Sequence, residues 1–257
     1  MPTQTEAIDQ SREMDERTWW DLWNTAYRAD DNRDKTSIEL FSHVIALMRK
    51  VLQEGDNRML EVACGTGTLS RSLNCTSYHG LDISSAAVEI ACQKAATLEL
   101  APGTPRPTYE IADFHDWPLP AQPFDVVLCV DAISGFRDQA FVLRKITQCL
   151  RNGGLAVLTT PNPFVYNRIR RVGGVKLESG PVSHWLSRRE MYQLVKRAGL
   201  TLERSYTIMP RGNMGILRAI NSPRLNRVFG SRVERTLHRL KERVGLGQYR
   251  VVVARKS

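Results

Sequence analysis

Residues 61–68 read Glu61-Val62-Ala63-Cys64-Gly65-Thr66-Gly67-Thr68, and this stretch decides the fold. It follows a short apolar run from Arg58 and precedes Leu69–Leu73, so it sits where a strand ends and a short helix begins. Glycine lets a backbone turn sharply and lets a ligand approach to van der Waals contact. Alone, a Gly-x-Gly is weak evidence; its neighbours give it weight. Downstream, a strand over Tyr78–Ile83 closes on Leu81-Asp82-Ile83, and Ser84 is placed to cap a helix reaching about Leu98. A strand over Thr108–Ala112 leads into Asp113-Phe114. Phe124–Val130 is short, apolar and β-branched, as a strand buried on both faces should be. A helix over Gln139–Leu150 runs to Asn152-Gly153-Gly154, which reads as a left-handed stop, and Leu155–Thr160 is a strand halted by Pro161 and Pro163. Ser187-Arg188-Arg189-Glu190 is a capping box for a helix that Gly199 should end; strands follow near Thr201–Met209 and Tyr249–Ala254. Upstream, Trp19, Trp20, Trp23 and Tyr27 share one helix-compatible stretch, and a second helix runs from about Ser37 to Glu54. Alternating helices and strands predict an α/β fold, a mostly parallel sheet with helices on both faces.

No linker divides the chain, so 1–257 reads as a single domain. Its parts are a tail and helical lid (1–36), a core (37–210), a basic helical insertion (211–247) and the last strand (248–257). The first seventeen residues hold no apolar core of a secretory signal, and no run approaches the roughly 20 apolar residues that cross a bilayer. Five cysteines, Cys64, Cys75, Cys92, Cys129 and Cys149, lack zinc spacing and are odd in number. That pattern fits a reducing cytoplasm rather than a disulfide framework. The net charge of +9 is lopsided: residues 1–150 hold 14 Lys and Arg against 22 Asp and Glu, whereas 151–257 hold 22 against 5. A cationic half biases partners towards anions.

The Gly loop gains meaning from two carboxylates. An acidic side chain about 20 residues beyond the loop's start, here Asp82, can accept from both hydroxyls of a ribose. Asp113 can take an adenine amino group while Phe114 frames the ring. Open α/β sheets bind ligands at the carboxyl ends of their strands, where all three features fall. A dinucleotide fingerprint needs glycine at position 70, which is Ser70, and has no use for a second carboxylate at Asp113. S-adenosylmethionine carries no phosphate and wants an acidic turn for its cationic end, which Glu61 offers. The methyl donor is therefore expected over NAD.

Met59–Gly67, Gly80-Leu81-Asp82-Ile83-Ser84, Ala112-Asp113-Phe114, Phe124–Val130 and Leu150-Arg151-Asn152-Gly153-Gly154 together resemble the ordered motifs of class I S-adenosylmethionine-dependent methyltransferases. Thr160-Pro161-Asn162-Pro163 and His184-Trp185-Leu186-Ser187 are similar to the branch of quinone-biosynthesis and sugar or natural-product methyltransferases. The resemblance implies a Rossmann-like seven-stranded sheet in the order 3-2-1-4-5-7-6, with strand seven antiparallel. It implies a cofactor site of Glu61, Ala63, Cys64, Gly65, Gly67, Asp82, Ile83, Asp113, Phe114, Cys129 and Val130. Ala63 departs from the family, which has glycine there; a methyl is the smallest change, and binding is expected to survive it.

Methyl transfer is an in-line displacement that positioning can largely catalyse, so no catalytic motif is required. A base is needed only if the acceptor loses a proton as it attacks, and His184 and Asp131 are the candidates. His115 reads as lining the cofactor. Trp19, Trp20, Trp23 and Tyr27 form the lid, with Asn162 and Tyr166 on the substrate side. No metal is expected. The expected reaction is methylation of oxygen or nitrogen in a small acceptor, one that can carry a carboxylate or phosphate. The alternatives are a lipid-linked or membrane-associated acceptor, RNA, or a partner-binding protein that kept the fold without catalysis. DNA is not expected. The basic stripe at 222–245 packs as a lid helix or lies on an anionic membrane surface.

Overall fold

The computed structural model describes residues 15–27, 35–52, 58–73, 75–100, 103–165, 167, 184–209 and 245–257. Tyr166 and most of the basic insertion, including 222–244, lie outside the described residues, as do the side chains of Trp23 and Tyr27. Two helices come first, α1 (Glu16–Tyr27) and α2 (Lys35–Val51). The sheet and its helices follow as β1 (Arg58–Val62), β2 (Ser77–Asp82), α3 (Ser85–Ala96), β3 (Thr108–Ile111) and β4 (Phe124–Cys129). Then come α4 (Gln139–Cys149), β5 (Leu150–Pro161), α5 (Arg188–Arg197), β6 (Leu200–Ile208) and β7 (Tyr249–Lys256).

The seven strands lie in the order β3-β2-β1-β4-β5-β7-β6. The pairs among β1–β5 are parallel, and β7 runs antiparallel between β5 and β6. Strand order reverses between β1 and β4, which opens a crevice outside their carboxyl ends. Alternate residues of the central strands feed two cores. Leu60, Val127, Cys129, Val252 and Ala254 pack with α4 and α5 on one face. Met59, Val126, Leu128, Val251 and Val253 pack with α2 on the other. Burial on both faces accounts for the continuous apolar run in β4.

The local signals fall where the chain chemistry places them. Ser84 caps α3 by accepting from Ala87 N–H, and Ser187 and Glu190 close the capping box of α5. Gly199 follows α5 at φ 82°. Two expectations are corrected. The glycine pair at 153–154 does not stop α4, which ends at Cys149 as Leu150 turns extended. It forms a bulge where β5 joins β4, with Gly153 at φ 75°. A Cβ on Gly154 would lie 2.9 Å from the Arg151 carbonyl oxygen. The turn after the Gly loop is a single 3-10 turn, Ser70–Ser72, rather than a helix over Leu69–Leu73.

Ala63 holds φ 56°, a left-handed backbone that costs an alanine about 1 kcal/mol. Gly67 holds φ 70°, and a Cβ there would meet the Tyr109 hydroxyl oxygen at 2.6 Å. Urea unfolding should find Ala63→Gly stabilised by up to about 1 kcal/mol, less the chain entropy glycine adds to the unfolded state. Gly67→Ala should lose about 2 kcal/mol or more through strain and overpacking. Equal stabilities would remove the backbone argument at both positions. Ser187→Ala should cost about 1 kcal/mol as the cap is lost.

Candidate active site

A partly open cleft lies over the carboxyl ends of β1–β4. Four chain turns build its floor: Ala63 and Gly65 after β1, Leu81–Ile83 ending β2, Ala112–His115 after β3, and Val130–Ala132 after β4. Gly135 and Phe136 make one wall, and Glu16 and Trp20 of α1 make the roof. Parallel strands deliver every one of these turns to the same side of the sheet, so residues 70 positions apart share one space.

Asp82 organises the floor. Its Oδ2 accepts from Gly65 N–H at 2.7 Å and its Oδ1 from Ser84 N–H at 2.9 Å. A carboxylate oxygen can accept more than one hydrogen bond, so this group can also serve a ligand hydroxyl. A Cβ on Gly65 would find nothing within 4 Å, so a ligand can approach the backbone there. Asp113 Oδ1 takes both the His115 N–H, at 2.8 Å, and the His115 ring nitrogen Nδ1, at 3.1 Å. The imidazole stacks on Phe141 with centroids 5.4 Å apart. Buried Lys145 donates to the His115 carbonyl at 2.7 Å and lies over the Phe114 ring at 5.4 Å, which stiffens the turn from behind.

The opposite end of the cleft is set by Asp131. It takes a left-handed backbone, φ 57°, directly after β4. Thr159 Oγ1 accepts its N–H at 2.7 Å, and the Tyr249 hydroxyl donates to its Oδ2 at 3.3 Å. Strained, well-held residues of this kind concentrate at functional sites. The roof is fastened at both sides. Asp21 of α1 accepts from Ser84 Oγ (2.7 Å), Ser85 Oγ (3.1 Å) and Ala86 N–H (3.1 Å), while Glu16 pairs with Arg137 at 3.3 Å. Trp20, edge-on to Trp19, packs against Gly135, where a Cβ would come within 3.2 Å of its ring. The sequence offered no signal for Asp21, because its partners lie more than 60 residues away.

Of the residues expected to hold the cofactor, Ala63, Gly65, Asp82, Ile83, Asp113, Phe114 and Val130 line the cleft. Glu61, Cys64, Gly67 and Cys129 do not. Glu61 lies inside β1 rather than in the turn, is 2% exposed, and accepts a hydrogen bond from the buried Tyr78 hydroxyl. Burial and then the charge of Asp82 hold its carboxyl well above the usual carboxylate range. Burial pushes the Cys64 and Cys129 thiols far up as well, so both serve as small core side chains. Gly67 packs on Tyr109.

On the substrate side, Asn162 is spent on structure: its Nδ2 donates to the carbonyls of Gly245 (3.0 Å) and Gly247 (2.8 Å). His184 stands outside the cleft, 63% exposed, against Glu190 at 3.3 Å. Among the described residues no three His, Cys, Asp or Glu side chains gather as a metal site would need. No described helix is long and apolar enough to cross a membrane.

Residues 33–205 match the family model described as a methyltransferase domain. Over 110 residues the chain is 34% identical to a phthiotriol/phenolphthiotriol dimycocerosates methyltransferase of Mycobacterium ulcerans, covering 41% of this chain and 38% of that protein. An uncharacterized methyltransferase of Anoxybacillus flavithermus is 30% identical over 129 residues, 48% of this chain and 56% of that one. The chain thus spans less than two thirds of the length of these curated relatives. Among solved structures, magnesium protoporphyrin IX methyltransferase from Synechocystis, with bound SAH, superposes with a TM-score of 0.62 at 16% identity. That match covers 98% of this chain and all of the other, which shows a shared fold. With its family match running from α2 into β6 on the expected class I sheet, the chain belongs to the methyltransferase-domain family.

Proposed function

We propose that the protein transfers a methyl group from S-adenosylmethionine to an oxygen or nitrogen of a small acceptor. The observation that carries this reading is the convergence of Asp82, Asp113 and the open Gly65 backbone in one roofed cleft. The donor set fits the molecule: two carboxylates suit a pair of ribose hydroxyls and an adenine amino group, and Leu81, Ile83 and Phe114 offer apolar contact between them. When bound, the cofactor supplies an electrophilic methyl on a sulfonium.

The chain's own residues then have distinct tasks. Asp82 presents its carboxylate to vicinal hydroxyls while keeping the Gly loop in place. Asp113 presents Oδ2, since Oδ1 is taken by His115. Asp131, held by Thr159 and Tyr249, lends negative charge where a cationic end would lie. Trp20 and α1 close the cleft above and exclude water. A nucleophile already poised for attack needs orientation more than a base. Asp131 is the one cleft carboxylate beside the free ends of β4 and β5, and it is the candidate to accept a proton. The relative named for phthiotriol and phenolphthiotriol dimycocerosates favours an oxygen acceptor on a lipid-like molecule.

Titration calorimetry tests the core of the proposal. S-adenosylmethionine should bind and NAD should not; the reverse would overturn it. Asp82→Ala should weaken binding about 30-fold or more, as hydrogen bonds to a charged group are worth about 2 kcal/mol. Unchanged affinity would take Asp82 out of the site. Binding without turnover on any hydroxyl or amine acceptor would mark a chain that keeps the fold without the reaction.

The raised pKa of Glu61 carries a separate consequence for pH. A carboxyl that holds its proton more tightly when folded stabilises the fold fully below its usual value of 4.5, and that contribution is lost as pH climbs towards the folded value. Thermal melts from pH 5 to 8 should therefore show falling stability that Glu61→Gln flattens. Parallel curves for the two proteins would show that Glu61 is ionised in both states.

A further inference from the structure

Arg250 is 7% exposed, yet its Nε has no hydrogen-bond partner. Buried charges in folded proteins are paired, and a buried polar atom without a partner calls for an explanation such as an ion or ligand that belongs there. Among the described residues none supplies the missing charge. In register it lies between Thr160 of β5 and Thr207 of β6, both buried and neutral. The charged group acting on it from α5 is Arg188, which is of like sign, and the remaining ionisable neighbour is Tyr192. Burial first, and the Arg188 charge after it, lower the hold of Arg250 on its proton. Arg188 donates from Nε to the Tyr192 hydroxyl at 3.1 Å. Burial works upward on Tyr192, but the Arg188 hydrogen bond and the charges of Arg188 and Arg250 work the other way, and the phenol lies below its ordinary pKa.

Two guanidiniums and an acidified phenol with no carboxylate among them make a positive site that lacks its anion. Its position matters as much as its charge. Arg250 pairs with Thr160 near the carboxyl end of β5, and its side chain lies on the face opposite Tyr249, towards α5. The cleft covers the carboxyl ends of β1–β4, and this group of side chains lies beyond it, where β5, β7 and α5 meet.

We propose that Arg250, Arg188 and Tyr192 form an oxyanion subsite that anchors a carboxylate or phosphate of the acceptor. Guanidinium groups suit both, because their planar donors match two oxygens at once. The assignment of this anion to the acceptor rests on the methyl-transfer reading; the subsite itself does not.

The test uses the full chain and thermal melts in sodium phosphate, sodium acetate and sodium chloride at one ionic strength. An oxyanion that fills the subsite should raise the melting temperature saturably, by about 5 °C at a hundredfold excess over its Kd, while chloride should not. A response to phosphate without acetate assigns phosphate; the converse assigns a carboxylate. Arg250→Met should abolish the response and melt no lower than wild type in chloride, since it removes a buried charge that has no pair. Arg188→Gln, at an exposed position, should fold normally and weaken the oxyanion about tenfold. Equal melts in all three salts, or an undiminished response in Arg188→Gln or Arg250→Met, would overturn the subsite. Titration of S-adenosylmethionine into the same wild-type sample reads the other proposal: its failure to bind would sink methyl transfer and leave the oxyanion result standing.

Discussion

The carboxylate of Asp82 ties the turn after β2 to the Gly loop seventeen residues earlier, by accepting from the N–H groups of Ser84 and Gly65. Everything about the cleft depends on this clamp. It holds the Gly loop against the end of β2, and it starts α3 at the residue whose hydroxyl is then free to meet Asp21 of the roof. A carboxylate that accepts from two backbone donors is held in one orientation before any ligand arrives. Preorganisation of this kind reduces what binding must spend on ordering the site.

The parts of this arrangement that could be read from the sequence are those with a local cause. Strand ends followed by acids, the Ser84 cap, the capping box at Ser187 and the apolar run of β4 each announce themselves within a few residues. The sheet order came from resemblance, since periodicity says nothing of which strands are neighbours. Misplacements arose where the cause is distant. Glu61 sits next to the Gly loop in sequence, but strand alternation turns it into the core towards Tyr78. Asn162 looked free for a substrate until residues 245 and 247 returned to claim it. Gly153 and Gly154 carry the same left-handed signal as a helix stop, and only the pairing with β4 reveals a bulge.

Charge behaved in the same way. The cationic second half pointed to an anion, but composition could not say which arginines are buried and which are solvated. Most of the surplus lies outside the described residues. The feature with structural meaning is one guanidinium, Arg250, placed in β7 among neutral neighbours and a like charge. A lone buried cation is a stronger statement about a ligand than a stripe of exposed ones, because exposure to water already satisfies the latter.

The antiparallel β7 also bears on how the molecule is made. It wedges between β5 and β6, so β6, although synthesised earlier, has no strand to pair with until β7 emerges, while β5 already lies beside β4. On a ribosome the cofactor half of the sheet can assemble first, with β4 already beside β1, while the edge that carries Arg250 stays open. Tyr249 and Asp131 meet only when β7 docks, so the hydrogen bond that holds the end of β4 forms after the β1–β4 half of the sheet is in place.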